Sequence, residues 1–162
     1  MNNVYLLIGG NMGERMANLA TARNRINIDC GRITASSSIY ETEAWGFKEQ
    51  PAFLNQALAI ETSLEAEKFM EEILKIEMAL GRKREIPLGP RIIDIDIIYF
   101  NEDVIALPNI TIPHPRMEKR NFVLAPLSEM APQYIHPILK LSNAQLLEDC
   151  EDKSHVNKKN ND

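Results

Sequence analysis

Several things this chain lacks narrow what it can be. Among its 162 residues there are two cysteines, Cys30 and Cys150, in neither a CxxC pair nor any metal-ligand spacing. That excludes a disulfide scaffold and fits a reducing compartment. No stretch approaches the roughly 20 apolar residues needed to cross a bilayer. Residues 1–10 have no charged leader and too short an apolar run for a signal peptide. A cytoplasmic protein with no membrane partner is the expectation. There is no excess of positive charge either: the net charge of −5 argues against nucleic acid as a partner. GxxxxGK[ST] is absent, so this is no P-loop enzyme, and no GxSxG or Cys–His pair offers a covalent nucleophile. Without internal repeats or linkers, residues 1–150 read as one domain. The polar tail at 151–162 is expected to fray.

What is present centres on Gly89-Pro90-Arg91-Ile92-Ile93-Asp94-Ile95-Asp96-Ile97-Ile98-Tyr99-Phe100. From Ile92 to Phe100 every residue is apolar or aromatic except two aspartates, the pattern of a largely buried strand. Alternate residues of a strand share a face, so Asp94 and Asp96 project together, about 7 Å apart at Cα. Two carboxylates on an apolar strand need a cationic partner, and spacing of two suits divalent ions sharing bridging oxygens. Basic residues bunch on either side. Arg82-Lys83-Arg84 precede a Pro- and Gly-containing loop that ends at Arg91, a candidate polyphosphate clamp. His114-Pro115-Arg116-Met117-Glu118-Lys119-Arg120 forms a second cationic cluster.

The rest of the chain reads as a β-α-β-β-α-β order with additions. Residues 4–8 form a strand that closes on Gly9-Gly10-Asn11, a plain strand-to-helix turn because the spacing fits no phosphate loop. A helix spans 11–28, with Met12, Met16, Leu19, Ala20, Arg23 and Ile26 as its stripe. Residues 32–40 form one strand and 52–62 the next, with a loop between them carrying the only tryptophan, Trp45. Asn55 sits in an apolar run and reads as structural. Thr62 and Ser63, with Glu65 and Glu67, open a helix to about residue 80, on which Glu77 reads as a solvated charge. A hairpin turn at 101–103, strands at 104–107 and 133–138, and helices at 122–130 and 142–147 follow; His136 reads as structural. The fold expected is α+β and ferredoxin-like: an antiparallel sheet with helices on one face, extended by C-terminal strands and helices.

Paired carboxylates with two cationic clusters suit a nucleoside triphosphate, with magnesium bridging the acids to the phosphates. The stretches PLGPRIIDIDIIYF, PHPRMEKRNFVLAPL, and YETEAWG followed by PAFLNQA resemble the 6-hydroxymethyl-7,8-dihydropterin pyrophosphokinases from the first strand to about residue 132. The chain departs from that family's pattern at Ala44, Pro87 and Leu88. A monomer is the expectation, and the resemblance implies an enzyme that moves the β,γ-pyrophosphoryl unit of ATP onto the pterin's hydroxymethyl oxygen. It implies two magnesium ions on Asp94 and Asp96. It places Glu77, Arg82, Arg84, Arg91, Asp96, Ile98, His114 and Arg120 at ATP, and Thr42, Phe53, Asn55, Asp94 and Phe122 at the pterin. Arg82, Arg91, Asp94 and Asp96 would be catalytic, and the loops of Trp45 and of residues 82–90 would close over the substrates.

Two other classes stay open on residues alone. Nucleotide-sugar transferases also use Asp-x-Asp with a divalent ion, although 162 residues is short for them. A ferredoxin-like module that binds a small ligand without chemistry would not need Asp94, Asp96, Arg91 and Arg120 together.

Overall fold

The computed structural model describes residues 1–43, 50–81 and 91–159. At its centre is β1 (Asn2–Gly10), hydrogen-bonded antiparallel to β4 (Phe53–Thr62) on one side and β5 (Asp94–Phe100) on the other. Beyond β4 come β2 (Arg32–Ser36) and β3 (Tyr40–Thr42), both paired with it, so the path runs β5-β1-β4-β3. This is the expected ferredoxin-like arrangement, with β5 at an edge. A separate hairpin pairs β6 (Ile105–Leu107) with β7 (Ile110–Ile112).

The alternation of the central strands builds two cores. Leu6, Ile8, Leu58, Ile60, Ile93, Ile95 and Ile97 face Leu19, Ala22 and Ile26 of α1 (Arg15–Asp29) and Phe69, Ile73 and Ile76 of α2 (Ala66–Ala79). The other face carries Leu7, Ala57 and Tyr99. It is covered by Val123, Leu124 and Leu127 of α3 (Asn121–Met130) and Leu146 of α4 (Asn143–Asp149). The C-terminal helices thus close the face that the core motif leaves bare, and helices lie on both sides of the sheet rather than one.

Several boundaries differ from expectation for local reasons. α1 begins at Arg15 rather than Asn11, because Gly13 takes φ +67 and the Asn11 side chain is engaged elsewhere. Met12, Met16 and Ala20 are therefore exposed, and the buried stripe is Leu19, Ala22 and Ile26. The strand expected at 32–40 is two pieces. Ser37 is buried and accepts a hydrogen bond from the Ala57 N–H through its own hydroxyl at 2.9 Å, the local competition with the ladder that serine favours. α2 is capped by neither Thr62 nor Ser63. The Thr62 hydroxyl donates to the Cys30 carbonyl at 2.6 Å instead, and Glu65 stands at the N-cap without a side-chain bond.

No strand forms at 133–138, which holds only an isolated bridge from Ile135 to Ser142. There the buried His136 Nδ1 accepts from the Ile138 and Leu139 N–H groups at 3.2 and 3.1 Å, so that residue is structural as read. Ser142 caps α4 with a full capping box to Gln145. Past Glu151 the chain does not fray throughout. β8 (Val156–Lys158) adds to the sheet beside β3.

Candidate active site

The site follows from the sheet register. Asp94, Gly9, Asn55 and Tyr40 lie in one cross-strand row over four strands. Two residues along, Asp96, Leu7 and Ala57 form the next row on the same face. Neighbouring strands are about 4.8 Å apart, which puts Asp94 and Asn55 roughly 10 Å from each other across Gly9. With no side chain at Gly9, the Asn55 amide lies over the strand between them. This part of the sheet is the floor of a cavity lined by Leu7, Gly9, Thr42, Glu43, Phe53, Asn55, Arg91, Asp94, Asp96, Arg120 and Phe122.

Eight of those eleven are residues singled out from the sequence. Thr42 and Phe53 come together as register partners of β3 and β4. Phe122 opens α3, and the Arg120 guanidinium stands 5.9 Å from its ring centre. Arg91 Nη1 donates to Asp94 Oδ2 at 3.0 Å, so the first aspartate has a cationic partner within the chain. Burial holds the Arg120 guanidinium below its ordinary value; Asp96 pushes it back up, while Arg116 and Arg91 add to the depression. The two carboxylates thus share the cavity with two cations, Arg91 and Arg120, an arrangement that can take additional anionic oxygen.

The outer edge of β5 builds a second cavity. An edge strand presents unpaired backbone groups. The Ile95 N–H donates to Glu77 Oε2 at 2.8 Å, and the His114 N–H donates to the Ile98 carbonyl at 3.0 Å. Between those anchors the strand edge borders a hollow lined by Met70, Leu74, Glu77, Met78, Ile95, Asp96, Ile97, Pro108, Asn109, Thr111, His114 and Pro115. Glu77 is 3% exposed, so it is not the solvated charge its helix position suggested. It continues the apolar stripe of Phe69, Ile73 and Ile76 and reaches the strand edge from there. The chain from His114 to Arg120 is held by the buried Met117, with Arg116 in the left-handed region at φ 69. His114 Nδ1 is buried and has no hydrogen-bond partner among the described residues.

Asp96 lines both cavities. Ile98 lines neither: its side chain is in the core with Leu7 and Tyr99, and its carbonyl is taken by His114. Arg82, Arg84, Trp45 and the expected closing loops lie outside the described residues. Sequence reasoning missed Leu7, Gly9 and Glu43 in the first cavity and almost all of the apolar lining of the second. Nothing in a run such as Met70, Leu74 and Met78 separates a ligand-facing stripe from a core stripe before the edge of β5 is known.

The family model for 7,8-dihydro-6-hydroxymethylpterin-pyrophosphokinase (HPPK) matches residues 5–132. The chain belongs to the HPPK family. A 2-amino-4-hydroxy-6-hydroxymethyldihydropteridine pyrophosphokinase of Aquifex aeolicus is 40% identical over 140 residues, 86% of this chain and 87% of that one. The enzyme of that name from Bacillus subtilis is 43% identical over 135 residues, covering 82% and 81%. The folic acid synthesis protein fol1 of Pneumocystis carinii is 37% identical over 149 residues. There the match takes in 92% of this chain, which spans only a fifth of that longer protein (20%). Among solved structures, the HPPK-DHPS of Plasmodium falciparum superposes with a TM-score of 0.74 at 19% identity, over 91% of this chain and 43% of that one. That likeness carries the fold, and the resemblance in the motifs is a family membership.

Proposed function

We propose that the protein transfers the β,γ-pyrophosphoryl unit of ATP to the hydroxymethyl oxygen of 6-hydroxymethyl-7,8-dihydropterin, releasing AMP, a step of folate synthesis. The observation that carries this reading is Asp96 on the boundary of two unlike cavities. One cavity has two phenylalanines and a buried amide, suited to a flat heterocycle with donors and acceptors on its edge. The other runs along a strand edge and ends at His114, suited to adenine at one end and phosphates at the other.

The residues fit magnesium. Among the described residues no group of three His, Cys, Asp or Glu side chains is arranged to hold a metal. A pair of carboxylates is nevertheless what magnesium uses when substrate phosphates complete its shell. Asp94 and Asp96 would hold the two ions, which when bound supply charge neutralisation and orientation of the phosphates.

The chain's own groups do the rest. Phe53 and Phe122 sandwich the pterin, while Thr42 and Asn55 read its edge. That brings the hydroxymethyl group to Asp94 across Gly9. Glu77 and His114 border the nucleotide, and Arg91 and Arg120, with Arg82 and Arg84, draw charge from the phosphates as the bond to the leaving AMP lengthens. The two substrates meet beside Asp96. The test is an assay with magnesium, ATP and the pterin: AMP and pterin diphosphate should form in equal amounts. Release of ADP, or no AMP above the pterin-free control, would overturn the proposal.

A further inference from the structure

The stretch Gly9-Gly10-Asn11, where β1 ends, does more than lead on to α1. Each residue touches a different part of the site. A Cβ on Gly9 would lie 2.1 Å from Asn55 Oδ1, so the absence of a side chain there sets where the Asn55 amide rests. A Cβ on Gly10 would lie 2.2 Å from the Ile92 carbonyl oxygen and 3.1 Å from that of Arg91, so the approach to β5 passes directly over it.

Asn11 then takes hold of the Arg91 peptide. Its Oδ1 accepts from the Arg91 N–H at 2.8 Å, and its own N–H and that of Met12 donate to the Arg91 carbonyl at 2.9 and 3.1 Å. The Nδ2 group donates to Gln50 Oε1 at 2.8 Å and to the Pro51 carbonyl at 2.9 Å. Asn11 is 1% exposed and lines neither cavity. One buried amide thereby ties the chain leading into β4 to the residue leading into β5; Arg91 lines the first cavity, and β4 brings Phe53 and Asn55 to it. The Asn11 side chain has no slack: its two donors and its oxygen are all engaged.

We propose that Asn11 is a positioning residue that fixes the backbone from which Arg91 presents its guanidinium to Asp94 and to the transferred phosphates. The inference rests on the reading of Arg91 as a phosphate contact. It predicts that the effect of Asn11 on turnover passes through Arg91.

The experiment is a double-mutant cycle. kcat and KM are measured with magnesium, ATP and pterin for the wild type, Asn11→Ala, Arg91→Ala and the double variant. Loss of turnover in Arg91→Ala tests the underlying reading by itself. Asn11→Ala should lower kcat about 10- to 100-fold, the scale of a small misplacement near the chemistry, with the pterin KM changed by less than about twofold. In the Arg91→Ala background the same substitution should cost less than about twofold. An equal loss in both backgrounds, or no loss in the first, overturns the proposal while leaving the reading of Arg91 intact. Should Asn11→Ala not fold, Asn11→Ser takes its place. It leaves a polar side chain in the pocket but is too short to hold the Arg91 N–H as Asn11 Oδ1 does, and the same two outcomes apply.

Discussion

The two sides of β5 are made from alternate residues of one short sequence, and they do opposite things. Ile93, Ile95 and Ile97 are between 0 and 4% exposed and fill the core under α1 and α2. Asp94 and Asp96, one residue away in each case, stand half-buried on the opposite face, beside Arg91 and Arg120. The apolar side stabilises the strand by removing area from water. The acidic side gains nothing from burial; its carboxylates repel each other and are offset by Arg91 and Arg120, on a strand that the other side holds in place. Rigidity is purchased on one face and used on the other, and the two properties should come apart under mutation.

The sharpest break is expected at Asp96. Asp96→Ala should lower kcat by about 10²- to 10³-fold, as removal of an electrostatic contact to the reacting phosphates does. Its thermal midpoint should move little, because relief of the repulsion with Asp94 is set against loss of the attraction to Arg120. Leu6→Ala, in the neighbouring strand on the core side and 0% exposed, should behave in the opposite way. It should cost about 2–5 kcal/mol in denaturant unfolding and leave kcat within about twofold at a temperature where the protein is folded.

Asn55→Ala sharpens the comparison further, since it removes a polar group from the site's face without touching a charge. The pterin KM should rise about 10- to 100-fold, from unpaired donors and acceptors on the pterin edge, while the ATP KM holds within about twofold.

These contrasts also show what could be read in advance. β5 and its aspartates were legible because isoleucine alternation, a flanking Arg and the absence of Gly or Pro all agree. Phe53, Asn55, Arg120 and Phe122, named from the family resemblance, line one cavity, and their meeting depends on the register of β4 and the start of α3; from its own residues Asn55 reads only as structural. Glu77 was misread from its residues, because a carboxylate on a helix is usually solvated, and only an edge strand with an open N–H gives it a reason to be buried. Asn11 looked like a helix start because its partners, Gln50, Pro51 and Arg91, are 39 to 80 positions away. β8 was hidden because Val156-Asn157-Lys158 is too short and polar to signal a strand without β3 to pair with.

Smaller effects test the supports behind the site. The Asp152 carboxylate accepts from the Asn121 N–H at 3.0 Å, capping α3 where Phe122 and its neighbours begin. Burial works against its charge, but hydrogen bonds from Ser154 and Asn121 hold that carboxyl below its usual range. The contribution is therefore present at neutral pH and is lost as pH falls through the depressed value. Asp152→Ala should cost about 0.5–2 kcal/mol at pH 7, read by unfolding, and the difference from wild type should shrink in acid.

The smallest effect expected is at His136. Burial holds its pKa down, with Glu118 opposing. Above about pH 6.5 both folded and unfolded forms are neutral there; below that the unfolded chain takes the proton first and stability falls. His136→Asn retains an acceptor for the Ile138 and Leu139 N–H groups and should flatten that part of the stability profile.

The central claim is that Asp94 and Asp96 grip the nucleotide's phosphates through divalent metal. Calorimetric titration of a non-hydrolysable ATP analogue, with and without magnesium, into the wild type and Asp96→Asn tests it most directly. The account predicts tight binding by the wild type only with magnesium, and at least a tenfold loss in Asp96→Asn under the same conditions. Equal affinity for the two proteins, or wild-type binding indifferent to the metal, would contradict it.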